Sequence, residues 1–177
     1  FCRYRCLHSL LKKECKLAPK RAVGLIVQAL HGLEYAHQAE VDVELEDGQL
    51  QKSKGIVHRD LSPHNILLTG DPASPTAKVS DFGLAKAFDK AGLSGLTCSG
   101  SAAGKPYYMP RQQVLDYLQA KPAVDVWAMA ACLYQLLTGH VPRNFLKQRG
   151  ELPDPWIVLL ETDPVPIRKR DRNIPRR

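Results

Sequence analysis

The sequence predicts a mainly α-helical fold with one small β-hairpin. Between Val23 and Leu33 apolar residues recur at positions 23, 26, 27, 30 and 33, the spacing of one buried helical face. A second segment, Ala123 to Leu137, is almost wholly apolar and predicts a helix buried on most sides. Two short strand candidates, 66–68 and 77–79, flank a turn-forming segment and predict the hairpin.

The connecting segments support this division of the chain. Pro19 lies just before the first helix and suits its first turn, where a missing N–H costs nothing. The polar stretch from Glu40 to Lys54 predicts a surface hairpin or an insertion. Thr69 to Thr76 suits the turn of the small hairpin. Residues 83–106 are rich in Gly, Ser and Thr and predict a long loop.

The apolar helix carries one charge, Asp125, and Thr138-Gly139 predicts its end. A carboxylate inside such a helix is costly unless it is partnered. We therefore expect Asp125 to hold another part of the chain in place. Beyond it, a Pro-rich run predicts loops and one short helix near Trp156 to Glu161.

Composition narrows the class of protein. The 177 residues suit one domain or part of one. The net charge is +7, and Arg168 to Arg177 holds six Arg or Lys against one Asp. This basic terminal segment lacks aromatic residues, so it predicts a solvated tail and no nucleic-acid interface. Five cysteines without regular spacing favour a reducing, cytoplasmic interior. No apolar stretch is long enough to predict a transmembrane segment.

Two motifs carry chemical groups at a defined spacing. His58-Arg59-Asp60 is followed by Asn65, and Asp81-Phe82-Gly83 follows sixteen residues after Asn65. Together they resemble the catalytic loop and the metal-binding triplet of protein kinases. Three further segments match the same family in order: Gly32 to His37, Gly104 to Gln112, and Asp125-Val126-Trp127. The resemblance covers nearly the whole chain.

The resemblance implies a role for each of these residues. Asp60 would orient the substrate hydroxyl and accept its proton. Asn65 and Asp81 would bind Mg²⁺ and, through it, the phosphates of ATP, while Leu67 would lie under the adenine. The predicted catalytic residues are Asp60, Asn65 and Lys105, the last because the chain departs from the family pattern at that position. The expected cofactors are thus ATP and Mg²⁺, and the expected partner is a protein substrate.

Other residues of the motifs have structural or regulatory roles by the same resemblance. His58 and Phe82 are expected to pack together, and Asp125 to accept hydrogen bonds from the catalytic-loop backbone. Arg59 is expected to meet a phosphorylated side chain in the long loop. The candidates for that modification are Ser94, Thr97, Ser99 and Ser101.

The chain lacks one part of the family pattern. It contains no G-x-G-x-x-G loop and no V-A-I-K strand lysine. The resemblance therefore implies a partial kinase domain over residues 1–177, the C-terminal lobe without the N-lobe and truncated at both ends. Without the segments that cover ATP, the isolated chain should be a poor catalyst or none.

Three positions depart from the family within the matched motifs. Ser62 stands where a lysine is usual, and Lys105 stands where a threonine is usual. We hypothesise that the amine is exchanged, so that Lys105 reaches the site from the opposite side and Ser62 supplies the hydroxyl. Gln112 replaces the glutamate of the A-P-E triplet, which predicts a less firmly attached segment.

Three functions are compatible with these residues. The leading interpretation is a serine/threonine protein kinase, because Pro63 and the Tyr108-Met109 pair fit that pattern better than the tyrosine-specific one. The second is a pseudokinase or scaffold module without transfer activity. The third is a small-molecule kinase, which shares the Asp and Asn spacing but normally lacks the Arg before the Asp.

Overall fold

The computed structural model describes residues 6–44, 48–82, 106–115, 121–146 and 151–175. These residues form helices and two-stranded antiparallel sheets, in agreement with the predicted mainly α-helical class. The helices are α1 Leu7–Glu14, α2 Pro19–Gln38, α3 Arg111–Leu115, α4 Ala123–Thr138, α5 Pro155–Glu161 and α6 Ile167–Arg170. The strands are β1 Glu40–Glu44, β2 Leu50–Lys54, β3 Ile66–Asp71 and β4 Ser74–Val79.

Helices α2 and α4 supply much of the core. The buried side of α2 follows the small residues Ala22, Ala29 and Ala36 together with Leu25, Ile26 and Leu33. The predicted face was therefore wrong in part, because Val23 and Val27 are 44% and 42% exposed. Alanines define the phase of the buried face here, because Ala22, Ala29 and Ala36 are all buried. The face predicted from the larger apolar residues included Val23 and Val27 and was therefore rotated away from the observed core.

Helix α4 ends as the sequence predicts. Gly139 adopts a left-handed conformation with φ of 75°, and its N–H donates to the carbonyl of Gln135 at 2.8 Å. A glycine is favoured there because left-handed φ values strain residues that carry a Cβ. The helix buries Ala128, Met129, Cys132 and Leu136, all of which belong to one hydrophobic cluster with α2.

The described residues form two hairpins, where the fold-class prediction had one. Strands β3 and β4 pair from Ile66 opposite Val79 to Asp71 opposite Ser74, which confirms the predicted hairpin. The segment predicted as a surface hairpin or insertion also forms a hairpin, β1–β2. Its register places Glu40 opposite Lys54 and Asp42 opposite Lys52, so opposite charges face each other across the strands.

The short helices were mostly not predicted. The sequence indicated α5, whose N-cap Asp154 accepts a hydrogen bond from the N–H of Trp156 at 2.7 Å. It gave no clear signal for α1, α3 or α6. Helix α6 lies in the basic terminal segment, and Asp171 just after it accepts a hydrogen bond from Lys16 at 2.8 Å. None of the helices in the described ranges has the length and apolar character needed to cross a membrane.

Gly55 provides a test of the close approach between β2 and α2. Its φ is 85°, and a Cβ built on it would lie 2.7 Å from the carbonyl oxygen of His37. We expect Gly55→Ala to lower the free energy of unfolding by about 3 kcal/mol or more. The strain of a positive φ and the overlap of the new Cβ with the His37 carbonyl both contribute. Urea unfolding of the purified protein measures the change.

Gly24→Ala is the matched control for Gly55→Ala. Gly24 lies within α2 and has no atom within 4 Å of an added Cβ, so alanine should stabilise the helix by about 0.5–1 kcal/mol. Equal effects of the two substitutions would contradict the close approach at Gly55.

Candidate active site

The loop from His58 to Asn65 is attached to the core by one buried carboxylate. Asp125 is 1% exposed; its Oδ2 accepts the N–H of His58 at 2.8 Å and its Oδ1 accepts the N–H of Arg59 at 2.9 Å. The ring Nε2 of His37 lies 2.8 Å from Oδ2. These partners offset the cost of burying a charge. The expectation that Asp125 holds the loop backbone is confirmed.

The loop turns at a strained residue. Arg59 has a φ of 65°, a conformation uncommon for residues other than glycine. Its N–H donates to Asp125, and its carbonyl accepts a hydrogen bond from Nε2 of Gln113 at 2.5 Å. Gln113 is 2% exposed, so this bond is shielded from water. Both sides of the residue are thus fixed, and that fixation sustains the strained backbone next to Asp60.

His58 connects the loop to the end of β4. Its ring Nε2 lies 2.7 Å from the carbonyl of Ser80, which only accepts, so this nitrogen carries the proton. The backbone N–H of Asp60 then donates to the unprotonated Nδ1 at 3.3 Å. The ring also packs against Phe82 with centroids 4.7 Å apart, as the sequence predicts. His58 therefore positions Asp60 relative to the residues around Asp81.

Asp60 and Asn65 lie next to each other. The amide Nδ2 of Asn65 donates to the carbonyl of Asp60 at 2.8 Å and to its Oδ2 at 3.3 Å. The N–H of Asn65 donates to the carbonyl of Ser62 at 3.0 Å, which closes the loop as a turn. Asp60 and Asn65, two of the three predicted catalytic residues, are therefore brought together.

Asp81 is linked to Asn65 through Ser80. The N–H of Ser80 donates to the carbonyl of Asn65 at 2.9 Å, and its hydroxyl donates to Oδ2 of Asp81 at 3.2 Å. Asp81 has a φ of 64° and an exposed side chain. Asn65 directly precedes β3 and Asp81 follows β4 by two residues, so the hairpin carries both at its open end, opposite the turn, as predicted.

The donor set suits a hard cation. Nδ2 of Asn65 is used by Asp60, and its Oδ1 makes no hydrogen bond to a described residue. The carboxylate of Asp81 is engaged only by Ser80 among the described residues. An amide oxygen and a carboxylate near one hairpin end match the oxygen ligands that Mg²⁺ prefers, with water and phosphates completing the shell.

Of the other predicted site residues, Leu67 and Ser62 lie in the described part of the chain and Lys105 does not. Leu67 is 37% exposed and lies on the face of β3 opposite the buried Ile66 and Leu68. Ser62, two residues after Asp60 in sequence, is fully buried. Lys105 lies outside the described residues, as do the modification candidates Ser94, Thr97, Ser99 and Ser101.

The segment after the long loop is attached through arginine and not through Gln112. Gln112 is exposed, but the guanidinium of Arg111 donates to the carbonyl of Leu159 at 3.2 Å and to that of Thr162 at 2.7 Å. These carbonyls lie at the C-terminus of α5, where they lack helical partners and the helix dipole attracts a cation. The prediction of a less firmly attached segment therefore overlooked the neighbour of Gln112.

A second arginine strengthens this attachment. Arg143 is 3% exposed, donates through Nε to the carbonyl of Thr162 at 3.0 Å, and lies 5.2 Å from the ring centre of Trp127. Burial and, to a smaller extent, the nearby Arg111 lower the pKa of the Arg143 guanidinium. Two cations thus share one carbonyl, which joins the C-terminus of α5 to α3 and to the segment after α4.

Tyr108 joins the same region to the core. Its hydroxyl donates to Oε1 of Gln135 at 2.6 Å. Burial, with a smaller contribution from Cys132, raises the pKa of the Tyr108 hydroxyl, so it stays neutral and keeps its proton for this bond. Residues 106–115 are therefore fixed by Tyr108, Arg111 and Gln113 from three sides.

Sequence reasoning missed the roles of Gln113 and Arg111. Both positions adjoin Gln112, which drew attention because it departs from the family pattern. The positive charge of Arg111 could have indicated its role, because a cation next to the A-P-E position can bind the free carbonyls at a helix C-terminus. Gln113 gave no signal, because its bond is to a backbone carbonyl.

Asp125 and Asp163 give a matched test of the loop attachment. Asp125→Asn exchanges one acceptor for a donor that faces backbone N–H groups, and we expect a loss of about 2–4 kcal/mol in the free energy of unfolding. Asp163→Asn removes an 89% exposed partner of Arg111, 3.3 Å away, and should change it by less than about 0.5 kcal/mol. Chemical denaturation of both variants checks the difference, and similar losses would refute a special role for Asp125.

Comparison with known proteins gives the family. The family model described as the protein kinase domain matches residues 1–152. The chain is 33% identical to the serine/threonine-protein kinase PkaB of Streptomyces coelicolor over 77% of its length and 29% of the length of PkaB.

Two further relatives give the same result. The chain is 34% identical to the serine/threonine-protein kinase PknL of Mycobacterium tuberculosis, over 77% of its length and 29% of that protein. It is 32% identical to the serine/threonine-protein kinase atg1 of Dictyostelium discoideum, over 78% of its length and 17% of that protein. The matched regions thus span less than a third of each relative. With the family model covering most of its residues, the chain belongs to the protein kinase family.

Proposed function

We propose that the chain is the C-terminal lobe of a serine/threonine protein kinase domain, which transfers the γ-phosphate of ATP to a hydroxyl of a protein substrate. The observation that carries the proposal is the contact between Asp60 and Asn65, with Asp81 one residue beyond the partner of Asn65. Three oxygen-bearing side chains at one end of a hairpin are what a metal-bound phosphate and an attacking hydroxyl require.

The chain's own residues would act by positioning. Phosphoryl transfer has a loose transition state, so orientation and neutralisation of charge supply most of the rate. Asp60, fixed through its N–H by His58 and through its carbonyl by Asn65, would orient the substrate hydroxyl and accept its proton. The fixed backbone of Arg59 limits the movement of the carboxylate.

Asn65 and Asp81 would hold Mg²⁺ on the ATP phosphates, and the ion would neutralise charge that develops in transfer. Leu67 would contact the adenine, because its side chain is exposed on the strand that follows Asn65. These 177 residues contain no Gly-rich phosphate loop and no strand lysine. We therefore propose that a segment outside them covers the nucleotide. A serine or threonine acceptor is favoured because all three relatives are serine/threonine-protein kinases.

Transfer of labelled phosphate from ATP by the full-length protein is the first test. We expect Mg²⁺-dependent labelling of a protein substrate. Asp60→Asn and Asp81→Asn should each lower the rate by at least about a hundredfold, since they remove the proton acceptor and a metal ligand.

The stability control is Asp154→Asn, an N-cap that asparagine replaces well and that lies away from the Asp60 loop. It should leave transfer unchanged. A protein that binds ATP with no transfer above the Asp60→Asn background would instead support the pseudokinase alternative.

The exchange of Ser62 and Lys105 gives a separate prediction. If Lys105 supplies the amine that contacts the transferred phosphate, Lys105→Ala should lower the transfer rate by about a hundredfold, the typical worth of one charge-stabilising donor. The double substitution Ser62→Lys with Lys105→Thr should retain most of the rate, because it restores the usual arrangement. An unchanged rate in Lys105→Ala would rule out the exchange.

A further inference from the structure

We propose that a basic groove between α1 and the end of α4 binds acidic residues of the protein substrate close to the phosphorylated hydroxyl. This inference rests on the proposed function and names the substrate class of the same site. The groove has a volume of about 530 Å³. Four of its lining side chains carry nitrogen groups that can bind an anion, namely His8, Lys12, Lys16 and His140.

Negative charge reaches the groove at one lysine. None of the described residues that line it is acidic, although the carboxylate of Asp171 binds Lys16. Lys12 is exposed, and its ammonium makes no hydrogen bond or ion pair with a described residue. An acidic peptide would therefore meet a cation that no neighbour neutralises, whereas a basic peptide would meet like charge.

One wall of the groove already binds a carboxylate. The ammonium of Lys16 donates to Oδ2 of Asp171 at 2.8 Å, and the Lys16 side chain remains 57% exposed. The hydrogen bond from Lys16, with a further one from the N–H of Asn173, lowers the pKa of the Asp171 carboxyl. The groove is thus compatible with the chemistry of the proposed ligand, and Asp171 competes for one of its two lysines.

Both sides of the groove contact the candidate active site. On α1, the N–H of His8 donates to the carbonyl of Pro63 at 2.9 Å, and its ring stacks on that of His64 with centroids 3.8 Å apart. On α4, Gln135 accepts the hydroxyl of Tyr108, which belongs to the segment after the long loop. The groove therefore adjoins the loop that carries Asp60 and the segment that carries Tyr108.

The distance to Asp60 restricts where the acidic residues lie. Pro63 follows Asp60 by three residues, so its Cα lies at most about 11 Å from that of Asp60. An extended peptide advances about 3.4 Å per residue. Acidic side chains within about four residues of the phosphorylated hydroxyl would therefore reach the groove, and both directions along the peptide need to be tested.

The experiment uses the full-length protein and synthetic serine peptides. One peptide has neutral flanks, two carry aspartates within four residues on one side or the other, and two carry lysines at the same positions. We expect one aspartate peptide to have a KM about threefold to tenfold below that of the neutral peptide, at similar kcat. This range is what one or two exposed charge pairs supply.

Two substitutions with opposite expected effects on KM test whether the preference for aspartate arises in the groove. Lys12→Glu should raise the KM of the preferred aspartate peptide by about tenfold and leave the neutral peptide unchanged. Asp171→Asn should lower it by about twofold, because Lys16 is released. Lys121→Glu is the control: it makes the same charge change at an exposed residue about 20 Å from Gln135 along α4, and should not alter the preference.

Binding of fluorescent peptides, followed by anisotropy, separates this inference from the proposed function. Failure of every peptide to accept phosphate would overturn the function, while preferential binding of an aspartate peptide that Lys12→Glu abolishes would still support the groove. Transfer without a preference for aspartate, or a Lys12→Glu effect equal on aspartate and neutral peptides, would overturn the groove.

Discussion

The buried carboxylate of Asp125 is the constraint on which the candidate site depends. From the first turn of the apolar helix α4, it accepts two consecutive backbone N–H groups, those of His58 and Arg59. A charged acceptor in a low-dielectric setting binds donors strongly but is costly without them. The helix and the loop are therefore coupled: the loop holds its strained conformation because Asp125 is there, and Asp125 is tolerated because the loop supplies its partners.

This coupling extends in two directions from the same backbone. On one side, the ring of His58 donates a hydrogen bond to the carbonyl of Ser80, which precedes Asp81. The loop is thereby connected to the end of the hairpin. On the other, Gln113 binds the carbonyl of Arg59 and thereby ties α3 to the loop. The oxygen-bearing side chains are consequently positioned by backbone contacts of their neighbours. The side chains themselves make short contacts within the site: Asp60 accepts from Asn65, and Asp81 accepts from Ser80.

Sequence alone predicted those features that follow from local pattern or from a strong motif. The helix α4, its glycine end, the β3–β4 hairpin and the grouping of Asp60 with Asn65 belong to this class. The buried face of α2 was predicted wrongly in part, because Val23 and Val27 outweigh alanines in hydrophobicity although the alanines are the buried residues. Arg111 and Gln113 could not be assigned roles, since their partners are carbonyls distant in sequence that no residue pattern identifies.

The attachment through Arg111 shows how a departure from a family motif can preserve its physical purpose. The expected anion is absent at Gln112, yet the chain places a cation one residue earlier and offers it carbonyls at the negative end of a helix. The polarity of the contact is reversed, and the segment is held nonetheless. In this chain Arg111 supplies a directional contact between segments that the residue type at Gln112 does not. The departure of Gln112 from the family motif is therefore a weak argument against the proposed function.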